Sequence, residues 1–319
     1  MQAAQYADLD GLALAEMLAN KEVNSAQLME CALQLAEERG APLRALVHLR
    51  PEQARQEAAH WQARGPFGGI PFLLKDSGLA SRRFPSNLGS RLFADIEYAY
   101  DATLAERFDA AGLIPFGRST VSELCMGPST ESSVHGGPTI NPRANDRSTG
   151  GSSGGAAAAV AAGIVPVSHG SDGGGSIRIP AACNGVFGLK PSRGRVPMGP
   201  ARGEGWGGMA CDGVITRSVR DTAAALDAIS GYASGAPYAA PPRPGSYLDA
   251  VREQGAGRLR IAVWRDAFNG IPIADSCRQA LEDTARLCRE LGHEVVDGPL
   301  PDFDYGAFVR AHGTVLATN

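Results

Sequence analysis

The sequence has no CxxC pair, no long apolar run, few aromatics at 6% and no excess of one charge. Six cysteines stand at 31, 125, 183, 211, 277 and 288 without metal-ligating or disulfide-framework spacing, so they read as reduced thiols. Cys31, Cys277 and Cys288 fall among apolar residues at helical spacing and are expected to pack in a core. The longest apolar run, AAAAVAAGIVPV, is 12 residues with Gly163 and Pro166 inside it, too short to span a bilayer. Thirty basic against 34 acidic residues give a formal net charge of -4, no footprint for nucleic acid or an anionic membrane. Lys190, Arg193 and Arg195 come nearest to a basic patch, but no aromatics interleave with them, so solvated loop charge is the simpler account. No signal peptide is read at the N-terminus, and a cytoplasmic location is expected.

What is abundant is glycine. Forty in 319 residues exceed the usual ~7%, which suggests backbone turns and close approaches of the kind that build a site from loops. The first 65 residues read as helices, with Ser25 as an N-cap and Pro51 opening the third segment. GGIPFLLKD, residues 68–76, reads as a buried strand carrying Lys75 and Asp76 at its tip. TLAERFDAAGLIPFG predicts a helix then a strand, Thr120 to Gly150 an irregular segment, AAAAVAAG a helix, IVPVS a strand, and residues 218–231 a helix stopped by Gly231. After a Pro-rich linker, AAPPRPG, the pattern strand, helix, strand forms a βαβ-like unit. Alternating helices and strands imply an α/β fold, a mixed β-sheet core covered by helices on both faces.

The segment TGGSSGGAAAAVAAG, residues 149–163, admits three readings. A phosphate cradle fits a helix N-terminus, yet Ala156 stands where a Walker lysine belongs. A nucleophile elbow, G-x-S-x-G, matches at Ser152 and at Ser153, but no hydrophobic strand precedes it. His48, His60, His135, His169, His293 and His312 are scattered, so no base is evident among them. The third reading is a serine activated by a neutral lysine, for which Lys75 is the candidate, since burial disfavours its charged form. Bringing an ordinary lysine to neutrality near pH 7 needs about 4 to 5 kcal/mol of differential environment. In HGSDGGGSIRIPA, three glycines lead into Ser176, and their N–H groups suit a developing oxyanion.

TGGSSGGAAAAVAAG, HGSDGGGSIRIPAACNGVFGLKPSRGRVP and the upstream LLKD together resemble the amidase signature family of Ser-cisSer-Lys amide hydrolases. The resemblance runs from about Asp8 onward and is densest over residues 118–222. It implies Ser176 as nucleophile, Ser152 as the bridging serine after a cis peptide bond, and Lys75 as the base. It further implies an oxyanion hole from the N–H groups of Gly173, Gly174, Gly175 and Ser176, with Ser153 as a supporting hydrogen-bonder. Asp172 and Arg178 resemble the family's buried pair that holds the nucleophile loop. Gly173 departs from the side-chain-bearing residue of many relatives, and Ile179 stands where glutamyl-tRNA amidotransferase A subunits commonly carry glutamine.

The expected activity is hydrolysis of a carboxylic amide, linear or cyclic, with no metal and no cofactor. The alternatives are an A subunit of a glutamyl-tRNA amidotransferase or a catalytically silent scaffold. Cys125, Met126 and Trp206 are candidate pocket residues because they flank the catalytic motifs in the chain. The expected partners are a small-molecule amide and at most a second copy of the chain, a homodimer, with neither nucleic acid nor membrane. Residues 1–319 are expected to form one domain lacking its C-terminal part, with a helical region (1–65), a catalytic core (66–231) and a βαβ-like extension of the same sheet (245–319).

Overall fold

The structure is a computed structural model that describes residues 1–243, 245–253 and 257–318. Of the Pro-rich stretch at 239–245, Pro244 therefore lies outside the described residues. Two compact units divide the chain, Met1–Arg252 and Glu253–Asn319.

Among the described residues, six strands run through the first unit: β1 (Leu46–Val47), β2 (Ile70–Lys75), β3 (Leu113–Ser119), β4 (Val167–Asp172), β5 (Phe187–Gly188) and β6 (Cys211–Thr216). Their order is β1-β3-β2-β4-β6-β5. β2 pairs in parallel with β3 and β4, whereas β1–β3, β4–β6 and β5–β6 are antiparallel, so the sheet is mixed. β2, β3 and β6 are buried at every position and show no in–out alternation, as strands covered on both faces should. Phe72 on β2 packs against Phe108 of the crossover helix Thr103–Ala110, with ring centroids 4.8 Å apart. Because β2 and β4 are parallel neighbours, their C-terminal ends carry Lys75 and Asp172 to the same edge, where parallel sheets commonly place ligands.

The helix that follows the serine pair, Gly154–Ala161, has the sequence GGAAAAVA and is buried on every side from Gly154 to Val160. Its small side chains are what let it lie so close to the sheet. A β-carbon on Gly154 would come within 2.3 Å of Thr130 Oγ1, and one on Gly155 within 2.3 Å of Thr120 Oγ1.

Several boundaries differ from expectation. Helix Ser25–Leu35 is capped by Asn24 rather than by Ser25: Asn24 Oδ1 accepts from the Gln27 N–H at 2.9 Å and Gln27 Oε1 from the Asn24 N–H at 3.0 Å. The reciprocal pair needs Gln three residues after the cap, which places the cap at 24. Strand β4 begins at Val167 and extends through HGSD, not over IVPVS, and a helix, Arg178–Asn184, follows the glycine-rich turn.

In the second unit, β7 (Arg260–Val263) and β8 (Glu294–Asp297) flank helix Asp275–Glu290, and helix Tyr305–Ala317 follows. β7 and β8 pair in parallel as a two-stranded sheet of their own, so among the described residues they do not extend the six-stranded sheet. Each strand is paired along one edge with the other, in a βαβ unit. Two strands cover little of the helix: Ala285 is buried, Cys288 half-buried and Cys277 exposed. Core packing thus holds for Cys31 but not for Cys277 or Cys288. All six cysteines are free thiols.

Candidate active site

Lys75 closes β2 with its side chain fully buried. Its Nζ lies 2.8 Å from Ser152 Oγ, 2.8 Å from Ser171 Oγ and 3.4 Å from the Ser171 carbonyl. Burial pushes the amine below its ordinary value, against the opposing pull of Cys125, Asp212, Asp172 and Asp76. Burial is the largest of these influences, and each of the three carboxylates has hydrogen-bonding or ionic partners of its own. Asp76 faces His135 Nε2 at 3.3 Å and accepts from Ser86 Oγ, Asp212 meets His169 Nε2 at 3.1 Å, and Asp172 is held by Arg178. For Asp76 itself burial acts upward, but the His135 and Ser86 bonds and Arg118 outweigh it and keep the carboxyl below the usual range.

The backbone around Lys75 is fixed as firmly as its side chain. His169 on β4 accepts the Lys75 N–H at Nδ1 (3.1 Å), which leaves the proton on Nε2 to donate to Asp212. Burial holds this imidazole below its ordinary value despite the Asp212 bond, so it is neutral. Arg118, fully buried on β3, donates to the carbonyls of Lys75, Leu79, Phe84 and Pro85 at 2.6–3.1 Å. His169, Asp212, Arg118 and Ser171 escaped sequence reasoning. Ser171 was within sight, two strand positions from His169 in HGSD, and only the β2–β4 register reveals that it faces the amine.

Ser152 is buried and follows a cis Gly151–Ser152 peptide bond. Gly151 is required here by space: a β-carbon on it would lie 2.7 Å from the Gly127 carbonyl. Ser153 ties the two serine loops together, its N–H donating to the Ser176 carbonyl at 3.3 Å and its hydroxyl to the Ser171 carbonyl at 3.3 Å. Ser176 itself is half-buried, and its hydroxyl makes no hydrogen bond among the described residues. Lys75 and Ser152 are thus hydrogen-bonded to each other, and Ser176 is tied to the same loop through its carbonyl, with its hydroxyl unengaged.

Asp172, at the end of β4, organises the turn. Oδ1 accepts from Gly175 N–H (2.8 Å) and Arg178 Nη2 (2.9 Å), and Oδ2 from Ile177 N–H (3.1 Å) and Arg178 Nε (2.9 Å). Two expectations change. The pair is buried on one side only, since the Arg178 side chain is 53% exposed while that of Asp172 is fully buried. The Gly175 N–H, expected among the oxyanion donors, is engaged by Asp172 instead. The N–H groups of Gly173, Gly174 and Ser176 have no acceptor among the described residues and remain available. Asp172→Ala leaves the Gly175 and Ile177 donors without their acceptor, and a loss of about 2 to 4 kcal/mol of stability is expected. Urea unfolding checks this; an unchanged midpoint means the turn holds itself.

The three pocket candidates are placed differently. Cys125 has φ +60 in a turn beside the amine, and burial pushes its thiol up, so it is a neutral thiol next to Lys75 and Ser152. Met126 is 43% exposed, and Trp206 is half-buried against Gly173. Among the described residues no helix is long and apolar enough to cross a membrane.

A family profile named Amidase matches residues 27–316. The 6-aminohexanoate-cyclic-dimer hydrolase of Paenarthrobacter ureafaciens is 34% identical over 96% of this chain and 62% of its own length. Among solved structures, a 6-aminohexanoate cyclic dimer hydrolase complexed with substrate superposes with TM-score 0.87 at 33% identity, over 96% of this chain and 64% of that one. A bacterial aryl acylamidase of the amidase signature family superposes with TM-score 0.86 at 30% identity, over 100% of this chain and 65% of that one. The chain thus spans somewhat less than two thirds of the length of these relatives. By sequence and by fold, the chain belongs to the amidase signature family.

Proposed function

We propose that the protein hydrolyses carboxylic amides through an acyl-enzyme on Ser176. The observation that carries this reading is the fully buried Lys75 amine 2.8 Å from Ser152 Oγ, on the loop whose next residue is bonded to Ser176. When neutral, Lys75 has two N–H groups for the Ser171 hydroxyl and carbonyl, and a lone pair for the Ser152 O–H. Ser152 in turn takes the Ser176 proton as Ser176 Oγ attacks the amide carbon. The carbonyl oxygen gains negative charge and is met by the free N–H groups of Gly173, Gly174 and Ser176. Collapse breaks the C–N bond, and the proton held on Lys75 returns through Ser152 to the departing amine. Water enters by the same path, loses its proton to the relay and cleaves the ester, releasing the carboxylate and restoring Ser176.

The substrate class this reading favours is a small amide, linear or cyclic, because relatives named as cyclic-dimer hydrolases match nearly the whole chain. Six free thiols support a cytoplasmic location. Intact-mass analysis after incubation with a small fluorophosphonate tests the nucleophile. The expected result is one adduct, mapped to Ser176; an unlabelled protein, or an adduct elsewhere, overturns it. Ammonia transfer within a complex, as an amidotransferase A subunit performs, would instead leave the purified protein without plain amidase activity.

A further inference from the structure

Gly173 leaves a gap in the nucleophile turn that an indole fills. A β-carbon on Gly173 would lie 2.6 Å from Trp206 Cε3, 3.0 Å from Cδ2 and 3.1 Å from Cζ3. The ring therefore rests directly on backbone that presents two of the free N–H donors. Trp206 is held there by its own loop. Its φ is +54, a left-handed conformation that a bulky residue seldom adopts, and Gly207 (+58) and Gly208 (+79) follow in the same region. The turn is closed by Ala210 N–H to the Gly205 carbonyl (3.1 Å) and Met209 N–H to the Trp206 carbonyl (3.1 Å), and it is pinned by Arg193 Nε on the Gly208 carbonyl (2.6 Å).

We infer that Trp206 is a specificity-determining residue: its indole, seated on the bare backbone of Gly173, forms an apolar wall that receives an alkyl or aryl group attached to the reacting carbonyl. Trp206 is partly buried and keeps some surface toward solvent. An apolar acyl chain lying along that open part would shed water from both surfaces, whereas a one-carbon chain gains nothing from it. This rests on the reading of Ser176 as nucleophile.

The test compares kcat/KM for hexanamide and acetamide in the whole protein. In Trp206→Ala the hexanamide-to-acetamide ratio is expected to fall about tenfold or more, carried by a higher KM for hexanamide, and Trp206→Phe should retain most of it. Gly173→Ala, which displaces the ring, should lower the ratio when Trp206 is present and have little effect in the Trp206→Ala background. An unchanged ratio in Trp206→Ala, or an equal Gly173→Ala loss in both backgrounds, overturns the inference. If Trp206→Ala fails to fold, Gly173→Ala decides: a fall in the ratio supports the wall and an unchanged ratio overturns it. Fluorophosphonate labelling of the wild type separates the two levels. A labelled Ser176 with an unchanged ratio removes only the wall, and an unlabelled protein removes the nucleophile with it.

Discussion

Ser176→Ala is expected to lower kcat for amide hydrolysis on the order of 10⁶-fold, the scale seen when a serine nucleophile is removed from a unit that works as one. Stability should hardly move, because the hydroxyl is half-buried and makes no hydrogen bond among the described residues. The combination is diagnostic. A structural serine would cost stability and leave catalysis largely intact. Steady-state turnover with a chromogenic anilide, set beside urea unfolding, reads both quantities, and retention of more than about a hundredth of the activity would remove Ser176 from the nucleophile role.

Lys75→Ala comes second in size, with an expected loss of about 10³ to 10⁴-fold in kcat. The pH profile distinguishes a base from a structural prop. Because burial places the amine below its ordinary value, wild-type activity should rise with pH through that lowered value as the amine becomes neutral. The variant should lose this limb. The stability effect has its own sign. Between the folded and the ordinary value the unfolded chain binds more protons than the folded one, so Lys75 makes stability increase with pH across that window. Below it the folded protein carries a buried ammonium, and Lys75→Met should there gain stability relative to wild type. A variant with near-normal turnover at pH 7 to 8, or with the acid limb intact, would exclude the relay.

Much of the candidate site can be read from the sequence for a simple reason. Lys75, Ser152 and Ser176 each sit in a short stretch whose neighbours are constrained by the same geometry: a strand tip, a crowded glycine turn and the start of a helix. What the sequence could not reveal depends on where distant chain segments meet. Ser171 faces the amine only through the β2–β4 register, and His169 holds the Lys75 backbone through a contact spanning 94 residues. Which glycine N–H groups stay free likewise depends on how Asp172 reaches across its turn, and that reach removes Gly175 from the set. The β7–β8 pair illustrates the opposite limit. Its strands and helix are plain in the pattern, but the pattern does not say whether two strands will join an existing sheet or pair with each other.

The helix GGAAAAVA behind the serine pair has only one residue, Val160, with a rotatable side chain. Ordering such an element takes almost nothing from side-chain entropy, since glycine and alanine have no rotamers to surrender. It also has no alternative side-chain packings through which to drift, so Ser152 and Ser153 are mounted on something closer to a rigid peg than to an ordinary amphipathic helix. The corollary for anyone redesigning this protein is that its adjustable parts lie in the loops around the hydroxyls, while the peg itself has no slack in which a larger residue could settle.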